Sequence, residues 1–295
     1  MHNSEMKVSG FTFLRNGVKL GYPFVESIRS VLPIVDEFVI ALGPSPDGTE
    51  EKLRAIGDDK IRILHTQWNE KMRSDYSIKG FVYGQQKSIA QFNCTGDWAF
   101  YLEGDELVHE DDLPKIRAAM EKYLDDERVE ALVFDYLHFY GNANTYAWSP
   151  RWYRTAPRIL RNTIPAWGPK GLFFTVLDTQ KKMRYPCAAH AGATIYHYGW
   201  VRSEAQMQLK TEEVKKLGRN TTPMTTYADI DPATLRLFEG THPKIVQDWL
   251  PREKGLFQAD PNHQLSFREK KHRAMLKLEQ WFGFKFNKKH YRLVR

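Results

Sequence analysis

Between Val8 and Phe134 short apolar runs alternate with helical patterns, and this alternation limits the fold more than any other feature of the chain. The runs Val8–Leu14 (VSGFTFL), Glu37–Leu42 (EFVIAL), Ile61–Leu64, Trp98–Leu102 (WAFYL) and Val129–Phe134 have strand length and are rich in β-branched and aromatic residues. Between them lie a helix pattern opening on Pro23 and reaching Leu32, and a short one from Thr49 to near Gly57. Two more run from Tyr83 to Phe92 and from Asp111 to Leu124, the last with Leu113, Ile116, Met120 and Leu124 on one face. Strands joined through helices by short connections predict a parallel sheet covered on both faces. Ligands of such sheets sit at the carboxyl ends of the strands. Three polar loops leave strands there, Arg15-Asn16, Gly43–Thr49 and Glu103–Glu106, and they predict a cleft.

Past residue 140 the pattern turns irregular. Tyr140–Phe174 holds four prolines and the aromatics Trp148, Trp152, Tyr153 and Trp167, and reads as long shaped loops with short strands near Ile159-Leu160 and Leu172–Val176. Ile195–Trp200 reads as a further strand, Ser203–Leu217 as a helix, and Thr221–Asp231 as a polar linker. With 295 residues, the chain accommodates one α/β domain over residues 1–220 and a helical extension with a basic tail over 221–295.

The formal charge of +7 suggests a nucleic-acid partner until its location is considered. From Arg268 to Arg295 there are ten Lys/Arg against Glu269 and Glu279, a local charge of +8 that leaves −1 for the rest. A basic stripe across the folded body is what a nucleic acid would require, so that partner is not expected. Cys94 and Cys187 belong to no CxxC pair, which argues for two reduced thiols and against a structural zinc site. Met1–Ser9 has no apolar run of signal length, and no window approaches the ~20 apolar residues of a membrane span. The expectation is a cytoplasmic protein.

The sharpest chemical signal is Phe100-Tyr101-Leu102-Glu103-Gly104-Asp105-Glu106. Acids directly after a buried strand face the ligand edge, and two carboxylates at i and i+2 in a turn can approach one hard cation. Mg²⁺ and Mn²⁺ favour oxygen ligands and bridge to substrate phosphates. Glu110, Asp111 and Asp112 read instead as favourable charges at a helix N-terminus.

The order of these features resembles the GT-A glycosyltransferases of family 2. The correspondence lies in Thr12-Phe13-Leu14-Arg15-Asn16 at the first strand and loop, and Ser45-Pro46-Asp47-Gly48-Thr49 after the second. It continues through Gly84-Gln85-Gln86-Lys87-Ser88 before the fourth strand and Leu102-Glu103-Gly104-Asp105-Glu106 at its end, within residues 7 to 200. The resemblance implies a GT-A, Rossmann-like mixed sheet flanked by helices, with a helical C-terminal appendage. It implies a nucleotide-diphosphate sugar donor, with Mg²⁺ or Mn²⁺ as cofactor, and a glycan or glycolipid acceptor. Arg15, Asn16 and Asp47 would contact base and ribose; Glu103, Asp105 and His197 would hold the metal. Lys87 and Arg73 would touch sugar or phosphate alongside Asp105.

The chemistry needs a general base for the acceptor hydroxyl. The family's inverting members place an acid after a Gly-rich turn following Arg-x-x-Arg. Here Arg158-Ile159-Leu160-Arg161 leads to Trp167-Gly168-Pro169-Lys170-Gly171 with no acid, so Asp135 and Glu204 are the candidates left. The missing acid, and Glu103 where Asp is usual, leave open a non-catalytic scaffold on the same fold. A sugar nucleotidyltransferase would carry a Gly-rich basic loop after the first strand, and Phe11–Lys19 has none. Trp148, Trp152, Trp167 and Trp200 serve either the core or stacking on an acceptor sugar, and His138, among apolar neighbours, reads as core. In the tail, Ala274, Leu278, Trp281 and Phe282 fall at i, i+4, i+7 and i+8 among lysines and arginines. That stripe either packs on the domain or lies on an anionic membrane.

Overall fold

The apolar runs of the first hundred residues become strands in which side chains alternate between two buried faces. The computed structural model describes residues 5–72, 80–216, 226–251 and 255–294. The first elements are β1 (Val8–Leu14), α1 (Phe24–Val31), β2 (Glu37–Leu42), α2 (Thr49–Arg54), β3 (Ile61–His65), α3 (Phe81–Gln91) and β4 (Trp98–Tyr101). There follow β5 (Glu106–Val108), α4 (Leu113–Lys122), β6 (Ala131–Tyr140), β7 (Asn142–Ala147) and β8 (Thr155–Arg161). The short strands β9 (Ala166–Trp167), β10 (Thr175–Leu177) and β11 (Met183–Arg184) form a small separate sheet. The long β12 (Cys187–Trp200), α5 (Glu204–Lys216), β13 (Leu235–Leu237), α6 (Phe267–Phe282) and β14 (Arg292–Leu293) complete the order.

Among the described residues the main sheet has 11 strands, along the path β13-β7-β6-β8-β4-β1-β2-β3 with β12, β5 and β14 off it. The pairs β1–β2, β1–β4 and β2–β3 are parallel, as the helical connections require. Beyond β4 the all-parallel expectation ends. β8 runs antiparallel between β4 and β6, while β12 lies parallel along β6 and antiparallel to β5. The sheet is therefore mixed and flanked by helices. The irregularity expected for 140–174 also gives way. Gly141, at φ 72°, is the single residue between β6 and β7, a connection only an antiparallel pair allows. Pro157 sits inside β8 beside a register irregularity, where the ladder tolerates its missing N–H.

Because of the alternation, Phe38, Ile40, Phe100, Leu132 and Phe134 meet Ile28 of α1 and Ile116 and Met120 of α4 on one face. Phe11, Val39, Ala99, Tyr101 and Val133 meet Ala90 of α3 and Phe174 on the other. Each large side chain so buried contributes about 1.5–3 kcal/mol. The segment expected as a purely helical extension adds two strands to this sheet, β13 on β7 and β14 on β12. No described helix is long and apolar enough to cross a membrane.

Candidate functional site

The acidic turn is built where β4 leaves the core. The Leu102 carbonyl accepts from Thr12 Oγ1 at 2.6 Å, and the Glu106 N–H closes the turn on the Glu103 carbonyl at 3.0 Å. Tyr198 N–H donates to the Asp105 carbonyl at 2.8 Å, so β12 fastens the turn from the other side. Three carboxylates within four consecutive residues then meet three different environments.

Glu106 is fully buried and fully engaged. Arg158, itself buried, grips it through Nε at 2.8 Å and Nη2 at 2.7 Å, and Tyr136 Oη and the Glu103 N–H donate at 3.0 and 3.1 Å. Four donors compensate a charge that burial would otherwise make very costly. Glu106 is thus an anchor for the turn. Glu103 keeps about a third of its side chain exposed and lies 3.6 Å from Arg158. Burial pushes its pKa up, the Glu106 charge adds to this, and Arg158 offsets part of it.

Asp105 is buried as well, but meets cations and a histidine instead of a closed network. Its Oδ2 receives Lys210 Nζ at 3.1 Å and Arg202 Nη2 at 3.2 Å. Burial alone would raise the carboxyl; the Lys210 charge, the contact with His197 and the Arg202 charge reverse that and hold it well below the usual range. Tyr22 lies under both cations, 4.6 Å from Arg202 and 5.1 Å from Lys210. Its hydroxyl is pushed upward by burial and by Asp105. The other oxygen, Oδ1, lies 3.6 Å from His197 Nε2.

The tautomer of a neutral His197 follows from its neighbours. His138 Nε2 contacts the Tyr153 carbonyl at 2.7 Å, and a carbonyl can only accept, so that nitrogen carries hydrogen. Burial holds His138 neutral, so its Nδ1 is bare and accepts from His197 Nδ1 at 2.8 Å. His197 Nε2 in its neutral form is then a lone pair turned toward Asp105 Oδ1. Two lone-pair atoms facing each other across 3.6 Å call for a proton or a cation between them. A histidine fixed in tautomer by a second group is also the usual support of a metal ligand. Gly199 keeps the space open, because a Cβ there would lie 2.4 Å from His197 Nε2 and 3.1 Å from Asp105 Oδ2. Among the described residues no group of three His, Cys, Asp or Glu side chains converges on one point. A cation held by Asp105 and His197 would therefore complete its shell with water or with oxygens of a bound ligand.

The loops expected to contact a nucleotide do converge. Asn16, at φ 53°, donates its N–H to Ser45 Oγ at 2.9 Å; Lys19 N–H donates to Asp47 Oδ2 at 2.7 Å. The Leu20 carbonyl accepts from Arg202 at 2.6 Å, which joins this edge to the acidic turn. Asp47 also accepts from Thr49 Oγ1 at 2.6 Å, and despite the raising effect of burial these bonds keep it below its ordinary pKa. Asp47 thus spends its oxygens on the loop. Arg15 pairs with Glu70 and lies 5.5 Å from the ring of Trp68, which meets Phe13 and Tyr83. Arg15 Nε and Trp68 Nε1 are buried there without a hydrogen-bond partner among the described residues.

Three of the expected site residues are engaged or directed elsewhere in this structure. Lys87 does not face the cleft with a free ammonium. It is fully buried, donates to the carbonyls of Gly171 and Phe173 at 2.9 and 3.1 Å, and rests 3.5 Å from the Phe174 ring. Burial lowers its pKa well below the usual range. Its work is to pin the 171–173 loop. Asp135 lies on the side of β6 opposite Tyr136 and His138, the residues that reach the acidic turn, so alternation turns it away. Glu204 is exposed and binds Thr226 Oγ1 at 2.5 Å and Tyr227 N–H at 2.9 Å, bonds that lower its pKa and tie down the segment after α5. Arg73, and residues 221–225 of the linker expected over 221–231, lie outside the described residues.

Arg202, Lys210, Arg158 and His138 carry much of the site, and sequence reasoning passed over them or read them as core. Arg202 follows a strand end by two residues, the position that exposed the acids at 103–106, and that was the available signal. Trp152 and Trp200 pack edge to face at 5.3 Å beside Tyr140 and serve the interior. Cys94 and Cys187 are both free thiols.

No protein-family model matches the chain, and no curated protein sequence matches it. Among solved structures it is similar to glucosyl-3-phosphoglycerate synthase from Mycobacterium tuberculosis in complex with Mn²⁺, UDP and phosphoglyceric acid. The identity is 16%, the TM-score 0.31, and the match covers 45% of this chain and 44% of that one. It is also similar to S. aureus TarS 1–349, at 15% identity and TM-score 0.34 over 53% of this chain and 47% of that one. The match thus spans less than half the length of either protein.

Proposed function

We propose that the chain is a GT-A-type glycosyltransferase of the family 2 kind, transferring a sugar from a nucleotide-diphosphate donor to a glycan or glycolipid acceptor with inversion. The observation that carries this reading is Asp105 Oδ1 lying 3.6 Å from His197 Nε2, the nitrogen without hydrogen in the neutral tautomer that His138 selects, with two cations on the far oxygen. The ordered motifs of residues 7 to 200 support it. In this reading residues 1–220 carry the chemistry and 221–295 form the extension.

Asp105 and His197 would hold Mg²⁺ or Mn²⁺, with Glu103 close by on its longer arm. The ion's contribution when bound is to neutralise charge that develops on the leaving diphosphate. His138 fixes the ligand tautomer, and Glu106–Arg158 fixes the turn that carries Asp105. Arg202 and Lys210, seated on Asp105, would turn their remaining N–H groups to diphosphate oxygens. The Arg15–Trp68 corner, with its unpartnered N–H groups, receives the base. Since Asp135 and Glu204 are turned away or engaged, the acceptor's proton passes to a group supplied with the acceptor or to Glu103.

Thermal shift with UDP, GDP, CDP and dTDP, and with the corresponding triphosphates, each with and without Mn²⁺, tests the reading. One nucleotide is expected to stabilise the wild type in a Mn²⁺-dependent way, and Asp105→Asn to abolish that shift while its circular dichroism stays native. No Mn²⁺-dependent shift with any of the four would favour a non-catalytic scaffold. A shift confined to nucleoside triphosphates would favour a nucleotidyltransferase.

A further inference from the structure

The helix α6 leaves its largest aromatic residues in solvent. An amphipathic helix on a domain normally buries its apolar stripe and leaves charge in solvent. Here charged residues face the domain beside the half-buried Met275, Leu276 and Leu278. Arg273 binds the buried Asp231 at 2.6 and 2.8 Å, and Glu279 binds the buried Arg154 at 2.8 and 2.9 Å. Glu269 closes a capping box with Ser266 and contacts His263 at 3.0 Å. No residue of α6 is fully buried. The opposite side carries Phe267, Ala274, Trp281 and Phe282, all exposed, with Trp281 at 74% and Phe282 at 66%.

The surface continues past the helix. Gly283, at φ 70°, ends α6 in a left-handed turn, and Phe284 follows at 48% exposure, its ring 6.0 Å from that of Phe282. Asn287 then anchors the chain, accepting from Arg154 N–H at 3.2 Å and donating to Thr155 Oγ1 at 2.8 Å. Trp281 to Phe284 is thus an elbow held between two fixed points, presenting three aromatic rings outward. Around it Lys277, Lys285, Lys288 and Lys289 are exposed, and Lys270 and Lys271 lie further up the helix. The two acids of this segment, Glu269 and Glu279, are both turned inward to partners. The outward face therefore carries lysines and aromatics without a carboxylate of its own segment.

We propose that this face docks peripherally on an anionic lipid bilayer, the elbow aromatics entering the interfacial region and the lysines lying over the headgroups. The chemistry selects this occupant. Aromatic rings beside ammonium groups match a boundary that is apolar below and negatively charged above. A second copy of the chain would set one lysine-rich face against another, and like charges oppose that contact. The inward ion pairs explain why the face is presented at all: they fix α6 without burying Trp281 and Phe282 at the end of its stripe. This inference is independent of the sugar-transfer reading.

The test is co-sedimentation of the full chain with vesicles of phosphatidylcholine alone and of phosphatidylcholine with phosphatidylglycerol. Binding to the anionic vesicles is expected, with little to the neutral ones and a steep loss as salt rises. Lys277→Gln and Lys285→Gln should each weaken binding about fivefold. The double variant Trp281→Ala/Phe282→Ala, whose side chains are solvated in the free protein, should keep the wild-type melting temperature and lose most binding. Vesicles of brominated lipid should quench wild-type fluorescence and quench Trp281→Phe markedly less. Equal binding to neutral and anionic vesicles, or full binding by the double aromatic variant, would overturn the proposal. So would vesicle binding no tighter than binding to a single-stranded oligonucleotide, or aromatic-dependent dimerisation in light scattering without vesicle binding.

Discussion

Two buried arginine–glutamate pairs start from the same stretch of chain and do different work. Arg158, inside β8, reaches Glu106 in the acidic turn; Arg154, just before β8, reaches Glu279 of α6. The first pair is fully buried on both sides and has Tyr136 and the Glu103 N–H as further donors. The second leaves 9% of Glu279 exposed, and Arg154 keeps Nε and Nη2 unpartnered. The turn is thus held by a closed network within the sheet, whereas α6 is held by a local clamp at a surface. A network in the core fixes the geometry of reactive groups, and a clamp at the edge fixes the orientation of a face.

That contrast can be broken or sharpened by experiment. Arg158→Leu strands the Glu106 charge in the core, and the loss in urea unfolding should be about 3–5 kcal/mol. A loss below about 1 kcal/mol would mean that water reaches Glu106 and that the network is open. Glu279→Gln should cost less, about 1.5–3 kcal/mol. Its effect on hydrogen exchange should be confined to α6 and the segment up to Asn287. Exchange spreading into β6 and β8 would show that the clamp belongs to the core after all. Gly199→Ala forces a methyl against His197 and should cost about 1–3 kcal/mol, with loss of any Mn²⁺-dependent nucleotide shift.

The smallest effect concerns His263, which contacts Asp229 Oδ1 at 2.6 Å and Glu269 Oε1 at 3.0 Å beside the start of α6. Burial pushes its pKa down, but the bonds to Glu269 and Asp229 outweigh it and raise the value above 6.5. A raised folded pKa means that the stabilisation is complete below pH 6.5 and is lost as pH rises through the folded value. Exchange protection of the first turn of α6 should therefore fall on going from pH 6 to pH 9 once intrinsic rates are corrected, and His263→Gln should remove that dependence. Protection that rises across this range would reverse the assignment.

The sequence by itself determined the strands of the first half, because a strand buried on both faces must read as a continuous apolar run, and β1 and β2 begin and end where their runs do. It also determined that acids stand at the end of β4, since a charge beside such a run has only the sheet edge to occupy. It could not reveal the antiparallel half of the sheet, whose strands carry Pro157 and polar positions that mimic loops. Nor could it assign the acids, because Glu103, Asp105 and Glu106 are one charge pattern in sequence. Only contacts from β6, β8, β12 and α5, at separations of about 30 to 105 residues, distinguish the anchored, the cation-paired and the partly exposed carboxylate. Lys87 and α6 teach the same point. A lysine in a helix and an apolar stripe along a helix are local facts, but which side faces inward is fixed by what the rest of the chain offers as partners. For Lys87 that is two carbonyls in an aromatic pocket, and for α6 it is Arg154 and Asp231, which draw the charged side in and leave the aromatic side in solvent.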